Sequence, residues 1–392
     1  MHELLAFDQG RSFEADKCEA APVTGIVGSA EPLAPEPLDG QAHRGAGELC
    51  LADGDARVRD WASGFSPETL RRANGRLWLT GDDVTAADGM LAMFRQLDHT
   101  YGAGPFAAQV TIYIDTELAT LLARPATGED VVHARARVAT GLFELAGYQA
   151  VDAGDPSRAQ VYYLRALALT RATHNHSYGA YLVAVSLGHL ALHSRRPRHA
   201  LRWAESAAAA GTAASPATRA AISAVQARAH ARMGQEREAT ALILQAERLL
   251  GSSVPADEPS WIRYFTPAYL ADEVAHCLYD LDRSQAARGH LMDAIEGVGR
   301  DKVRRLAIDA ALLASTWLRT GDVDRACAAG RDAVNYAART SSGRCAQRVA
   351  GVLAGLDSHA DYAPVAELRE YARLVLPAAD RVATATATAR GA

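Results

Sequence analysis

The chain has few of the residues that a β-rich fold or a disulfide-bonded secreted domain would need. Only 6% of its 392 residues are aromatic, and β-branched residues do not alternate with polar ones as they do in half-buried strands. Its five cysteines are scattered, with no Cys-x-x-Cys pair and no zinc-ligand spacing, which is typical of a reduced compartment. No run approaches the roughly 20 apolar residues of a membrane span. These absences predict an all-α, cytoplasmic protein with no membrane partner.

Lysine is nearly absent as well, since Lys17 and Lys302 are the only two lysines among 41 basic residues. A GC-rich coding sequence produces such an arginine bias without any selection for phosphate recognition. The net charge is −5, whereas a free-standing nucleic-acid-binding protein is usually basic. We therefore expect no direct contact with nucleic acid.

What the chain does contain is a helix–turn–helix unit that recurs about every forty residues from residue 131 onward. Each copy has a short polar turn followed by an alanine and an apolar stripe. These alanines are Ala159, Ala200, Ala239, Ala286 and Ala326, with separations of 41 (200−159), 39 (239−200), 47 (286−239) and 40 (326−286) residues. One helical pair cannot bury its apolar face alone, so the period predicts stacked pairs. The expected fold is an all-α, tetratricopeptide-like right-handed helical solenoid.

The chain divides into four predicted segments. Residues 1–62 form a Pro/Gly/Ala-rich segment with no apolar period, and residues 377–392 form a low-complexity tail, and we expect both to be disordered. Residues 63–130 form a helical capping region, in which Thr80 and Asp83 have capping-box spacing. Residues 131–376 form the repeats. The predicted helix pairs are 131–152 with 156–173, 177–193 with 197–210, 216–233 with 236–250, 266–281 with 284–298, 301–319 with 323–340, and 343–356 with 361–375.

Three stretches carry a further signal. They are 77–84 (Leu-Trp-Leu-Thr-Gly-Asp-Asp-Val), 94–104 (Phe-Arg-Gln-Leu-Asp-His-Thr-Tyr-Gly-Ala-Gly), and the motifs between Leu145 and Leu167. In order and spacing they resemble the tetratricopeptide-repeat regulatory proteins of actinobacteria, especially streptomycetes. The resemblance spans roughly residues 70–340 and is most specific before residue 215. Tyr148 departs from it, because a tryptophan is usual there, and so does Ala103, where a glycine is usual.

The resemblance implies a regulator of secondary metabolism or development. Such regulators often have an N-terminal helix-turn-helix domain, and the prolines of residues 1–62 would break its helices. We therefore expect regulation through a protein or peptide partner, such as a DNA-binding regulator, rather than through promoter binding. The alanine-rich terminal pairs also allow a homodimer.

The first helices of three predicted pairs carry residues that could line a binding groove. Polar and aromatic residues recur there at helical spacing: Tyr178, Tyr181, His189, Arg219, Ser223, Gln226, His230, Asp272 and His276. Side chains with flat apolar area and polar tips suit a peptide groove. The ordinary alternative is a solvated helical face.

No sequence feature indicates catalysis, because the chain has no Gly-x-Ser-x-Gly elbow and no nucleotide-binding glycine loop. His189 and His193 are four residues apart, a spacing that can place two imidazoles on one metal ion. No glutamate lies between them in the metalloprotease pattern. We expect no enzyme activity, no cofactor and no metal. Two alternatives stay open: a scaffold that does not switch, and a repeat protein recruited as a biosynthetic enzyme or metal-binding protein.

Overall fold

The computed structural model of the protein describes residues 54–55 and 78–377. Within these residues the chain is all-helical, and its one extended pairing is an isolated bridge between Leu79 and Ala126. Fourteen helices follow one another: α1 Gly81–Tyr101, α2 107–123, α3 Glu129–Asp152, α4 Pro156–Ala172, α5 176–193, α6 Pro197–Ala210, α7 Pro216–Arg232, α8 Glu236–Gly251, α9 Pro267–Asp280, α10 Ser284–Gly297, α11 Val303–Arg319, α12 Val323–Ala337, α13 Gly343–Gly355 and α14 Ala363–Val375. None of these helices is long and apolar enough to cross a bilayer.

Local sequence signals explain where the helices begin. Thr80 and Asp83 form the predicted capping box of α1, in which the Thr80 amide donates to the Asp83 carboxylate at 2.8 Å. Helices α4, α6, α7 and α9 each begin at a proline, whose missing N–H costs nothing in the first turn. All six predicted helix pairs are present. The largest difference is at predicted end 340, where the helix ends three residues earlier at Ala337, and the predicted starts 131, 301 and 361 each differ by two residues from Glu129, Val303 and Ala363.

Two helices contain a wider turn that the sequence pattern does not indicate. Residues Ile114–Leu118 of α2 and Leu182–Leu187 of α5 are π-helical. A π turn holds one more residue than an α turn and therefore changes which side chains share a face beyond it. In α5 it separates Tyr178 and Tyr181 from His189 and His193.

The helices pack neighbour to neighbour, an arrangement compatible with a helical-repeat solenoid. In the five pairs from α3 to α12 the two helices pack against each other, as α3 does with α4 and α11 with α12, whereas α14 packs on α12. The odd-numbered helices α1 to α13 also pack side by side in chain order, and we call these seven helices the inner layer. The inner layer closes on itself, because α11 contacts α1 and α13 contacts α3.

Small residues allow these helices to approach closely. Four of the five periodic alanines, Ala159, Ala200, Ala239 and Ala326, have no exposed surface. Ala286 is the exception: it is exposed, and its neighbour Ala287 is buried in its place. The repeat before α10 is therefore one residue longer than the alanine pattern predicts.

Part of the segment expected to be disordered lies within the described residues. Gly54 and Asp55 are helical and contact α6. The Asp55 carboxylate accepts hydrogen bonds from the Trp203 indole and, at 2.9 Å, from the Arg202 guanidinium. A Cβ at Gly54 would lie 2.9 Å from the Trp203 ring. These two residues are thus placed against α6, whereas the rest of residues 1–62 lies outside the described ones, and the expected disorder stays a prediction.

Candidate functional site

The inner layer carries polar and ionisable side chains in pairs spaced four residues apart, a spacing that puts both members on one helical face. The pairs are Tyr148 and Asp152 on α3, His189 and His193 on α5, Arg228 and Arg232 on α7, Asp272 and His276 on α9, Arg305 and Asp309 on α11, and Arg344 and Arg348 on α13. Arg305 contacts Asp272 on the preceding inner helix, and two further residues, Glu273 and Arg304, contact members of other pairs. Because each helix supplies only part of the network, the network exists only in the assembled layer.

Tyr178 and Tyr181, predicted to line a groove, are packed inside the protein. Both are buried, with 1% and 5% of their surface exposed. Trp261, from the loop before α9, stacks on Tyr178 with ring centroids 4.6 Å apart and planes 3° apart. The Tyr181 and Tyr264 hydroxyls are 2.9 Å apart. In this conformation both side chains are packed inside the protein, and their assignment to a binding groove stays a prediction.

The Tyr178 hydroxyl binds a half-buried carboxylate on α3, the preceding helix of the inner layer. It donates to Glu144 Oε2 at 2.6 Å, and the Arg95 guanidinium lies 3.4 Å from the same oxygen. Burial, followed by the negative charge of Glu144, raises the pKa of Tyr178 well above its ordinary value. The hydroxyl therefore stays neutral and acts as a hydrogen-bond donor.

His189 belongs to an ionic contact between α5, α7 and α9. Glu273 accepts from Arg228 at 2.7 Å and lies 3.3 Å from His189 Nε2. Burial opposes ionisation of Glu273, but His189 and Arg228 outweigh it and hold the pKa of this carboxyl well below its ordinary value. Glu273 is thus an anion that binds two partners on two other helices.

A second ionic contact joins α9 to α11 and includes two of the predicted site residues. Arg305 lies 2.5 Å from Asp272 and 3.2 Å from Asp309. Burial and the charge of Asp272 raise the pKa of Asp309 well above its ordinary value. His276 Nε2 is 3.6 Å from Asp272 Oδ1, and burial, then Arg228, keeps the pKa of His276 well below its ordinary value. His276 is therefore neutral at physiological pH.

A third contact closes the layer. Arg304 of α11 lies 2.5 Å from Asp98 of α1 and 3.7 Å from Asp152 of α3. Its guanidinium also covers the Tyr148 ring, 4.5 Å from the centroid. The Ser342 hydroxyl, which caps α13, donates to Asp152 at 2.6 Å.

The polar stripe predicted on α7 lies on a different face from its buried ion pair. Arg219 is exposed, Ser223 is buried, and Gln226 and His230 are half-buried. His230 Nδ1 lies 2.7 Å from the Gln235 amide oxygen in the following turn. Arg228 is two positions from both Gln226 and His230, so it points about 200° away from them. The structure therefore does not bring this stripe together with His189, Asp272 and His276.

Sequence reasoning missed the arginines and carboxylates that hold the layer together. Arg228, Glu273, Arg304 and Arg305 stand in apolar helices, where a buried charge normally requires a partner. That requirement is the signal that could have identified them as contacts between helices. Their partners are 45 positions away for Arg228 and 206 for Arg304, so no local spacing could have named them.

The residues present do not favour a metal at His189 and His193. His189 is already paired with Glu273, and cationic side chains surround His193: burial, then Arg344, Arg348 and Arg232, lowers its pKa to about 4. Among the residues that the structure describes, no group of three His, Cys, Asp or Glu side chains is placed to hold a metal ion.

Comparison with protein-family models gives no match, and comparison with curated proteins gives no significant match either.

Proposed function

We propose that the chain is a tetratricopeptide-like right-handed solenoid that acts in the cytoplasm as a regulatory protein. It binds a small signal or a short peptide at the inner layer and thereby changes its contacts with a partner that controls gene expression. The observation that carries this proposal is the ionic network of the inner layer. Its ion pairs involve six helices, α1, α3, α5, α7, α9 and α11, and a hydrogen bond from Ser342 attaches α13. A charged ligand can compete for these side chains.

The mechanism that we propose is a shift between a closed and an opened form of the layer. Arg304 bridges α11 to α1 and α3, and the Ser341 amide donates to the Tyr101 carbonyl at 3.0 Å. These contacts connect elements at opposite ends of the described chain. A ligand that binds the two forms with different affinities changes their populations, and the outer surface presented to a partner changes with them.

The regulatory part of the proposal rests on the resemblance to actinobacterial regulators. The partner that it implies is a DNA-binding regulator or part of the transcription machinery. Capture from the native cell extract with the tagged full chain, followed by mass spectrometry of bound proteins and small molecules, tests this assignment. Recovery of a sigma factor, RNA polymerase or a DNA-binding regulator supports it. Recovery of metabolic enzymes alone, or of no protein at all, overturns it.

Two variants test whether the signal that controls partner binding is bound at the inner layer. His189→Ala changes an inner-layer residue that keeps about a third of its side chain exposed (35%), whereas Arg219→Ala changes an exposed residue on another helical face. If signal binding at the inner layer controls the partner, His189→Ala alters capture and Arg219→Ala does not. The reverse result would move the binding site away from the inner layer.

A further inference from the structure

The connection between α8 and α9 is much longer than the repeat requires. It spans residues 252–266, which is 15 residues (266−251), whereas every other connection from α3 to α13 has three to five. It lies in the repeat with the 47-residue spacing between Ala239 and Ala286. Because three residues join the helices elsewhere in the layer, most of this segment is not needed to link α8 to α9. We call residues 252–266 the strap.

The strap crosses the starts of three inner-layer helices. The buried Glu258 accepts hydrogen bonds from the Ala217 amide in the first turn of α7, at 3.0 Å, and from the Ser253 hydroxyl, at 2.7 Å. Trp261 reaches the first turn of α5, where its ring stacks on Tyr178. The strap then leads into the first turn of α9. It therefore extends from α9 past the start of α7 to α5.

Aromatic side chains join the strap to α5. The Trp261 ring contacts both tyrosines at the start of that helix, with its centroid 4.6 Å from Tyr178 and 5.0 Å from Tyr181. Tyr264 meets Tyr181 edge-on at 6.5 Å, and the two hydroxyls are 2.9 Å apart. We call the rings of Tyr178 and Tyr181 the aromatic patch. Trp261 is buried on this patch, so the strap covers it with a flat ring.

Contacts that do not involve the strap hold the aromatic patch in place. The Tyr178 hydroxyl donates to Glu144 of α3 at 2.6 Å, and Arg95 of α1 lies 3.4 Å from the same carboxylate. The Ser186 hydroxyl of α5 lies 3.5 Å from its other oxygen. The Tyr178 ring therefore keeps its orientation when Trp261 leaves. A preorganised surface of this kind binds a flat ring with a smaller loss of entropy.

The strap is attached to the helices by its side chains. Among the described residues, its amides donate only to carbonyls between 248 and 264, and the Arg263 guanidinium donates to two carbonyls of the strap itself. A segment without backbone hydrogen bonds to its neighbours can open as one unit, without global unfolding. The buried side chains of Ile262 and Phe265 keep the closed form dominant when no ligand is bound.

We propose that the aromatic patch binds a peptide with two aromatic residues three positions apart, and that the strap is its internal competitor. The strap shows which chemistry the patch accepts. Trp261 supplies the stacked ring, and Tyr264, three positions later, supplies a hydroxyl for Tyr181. A peptide with the same spacing takes both places when the strap opens. The inference rests on the proposed function, since it names the class of peptide that binds the inner layer.

A synthetic peptide of residues 256–266 tests the inference. Its fluorescent label reports binding to the purified full chain as a rise in anisotropy. Two variants weaken the strap and leave the aromatic patch unchanged: Trp261→Ala removes the stacked ring, and Glu258→Ala removes the contact with α7. Both should bind the peptide about tenfold more tightly than the unchanged chain, because a larger fraction of molecules has an open patch. Circular dichroism checks that both variants keep their helices.

The matched control variant is Trp78→Ala, which removes an exposed tryptophan (62%) outside the strap. It should bind the peptide as weakly as the unchanged chain does. A control peptide with Trp261→Ala and Tyr264→Ala should bind none of the proteins. At saturating peptide, amide hydrogen exchange in residues 252–266 of the unchanged chain should become faster, because the strap is displaced.

Three results overturn the inference: no binding to either weakened variant, equal binding of the control peptide, or binding without faster exchange in the strap. Concentration-dependent dimerisation without peptide binding also overturns it, since the occupant would then be the strap of a second copy. If peptide binding fails while the transcription partner is still captured, only this inference falls. If the peptide binds and no such partner is captured, only the proposed function falls.

Discussion

The Arg304 guanidinium of α11 lies 2.5 Å from the Asp98 carboxylate of α1 and joins residues 206 positions apart. Both side chains are almost fully buried, at 5% and 1% exposure. Buried charges are tolerated when each has a partner, and Asp152 shares this arginine from α3. The two ends of the inner layer are therefore held by an interaction that depends on all three groups.

Replacing Arg304 should lower the free energy of unfolding. Arg304→Met leaves Asp98 and Asp152 buried without their cation, and we expect the free energy of unfolding to fall by about 3–5 kcal/mol. Urea denaturation followed by circular dichroism measures the change. Arg283→Met is the control, because Arg283 and Glu236 form a pair in which both side chains are more than half exposed, and it should cost less than about 1 kcal/mol. Equal losses in both variants would refute the closing role of Arg304.

Two helical glycines should respond in opposite directions to alanine. A Cβ at Gly147 would lie 2.5 Å from the Tyr163 ring, whereas one at Gly89 would have no atom within 4 Å. Gly147→Ala forces a buried ring to move and should destabilise the protein by about 1–3 kcal/mol. Gly89→Ala should stabilise it by about 0.5–1 kcal/mol, because alanine loses less backbone entropy in a helix. Thermal melts of both variants check this, and a stabilising Gly147→Ala would contradict the close approach of α3 and α4.

Acid should destabilise the protein through His276, which is buried, and His99, which is half-buried. Burial lowers the pKa of His99 to about 4 and that of His276 well below its ordinary value. In the unfolded chain both take a proton near pH 6.5. Between that pH and the lower folded-state pKa the unfolded state binds more protons, so stability falls as pH falls. Each histidine contributes at most about 1.4 kcal/mol per pH unit.

The difference between variants isolates one histidine from other titrating groups. Asp309 acts in the opposite direction, because its raised pKa makes the folded state bind a proton more readily. His276→Gln should therefore reduce the slope of unfolding free energy against pH by up to one proton relative to the unchanged protein. Exposed His359 supplies the control variant His359→Gln. Denaturation at pH 5.0 to 7.0 measures the slopes, and an unchanged slope for His276→Gln would show that the imidazole is not buried as a neutral group.

The contact of Asp55 with α6 predicts that one carboxylate holds part of the N-terminal segment. Asp55→Ala removes the acceptor of the Trp203 indole and the partner of Arg202. We expect faster cleavage near residue 55 in limited proteolysis and a loss of about 1–2 kcal/mol in stability. Asp88→Ala, at an exposed position on α1, should change neither. Identical proteolysis of both variants would rule out the docking of this segment.

Helix positions were predictable because their signals are local. A cap such as Thr80, a proline such as Pro216 in the first turn, and a buried alanine at a forty-residue period all act within a few turns of chain. Two differences between the sequence pattern and the structure also have local causes. The π turn of α5 changed which residues share its face, and Ala286 gave way to Ala287 because two adjacent alanines are equivalent in a sequence pattern.

What the sequence alone determined is the helical class, the number of pairs from residue 131 and most helix boundaries, since these depend on periodicity and capping. Tertiary structure decided which polar residues form contacts between helices. Arg219 and Arg228 look alike in sequence, but only Arg228 meets a carboxylate on the next inner helix. The ring of contacts through Arg304 likewise arises from helices distant in sequence. Electrostatic partners are chosen by proximity in space, and that proximity exists only after the helices have packed.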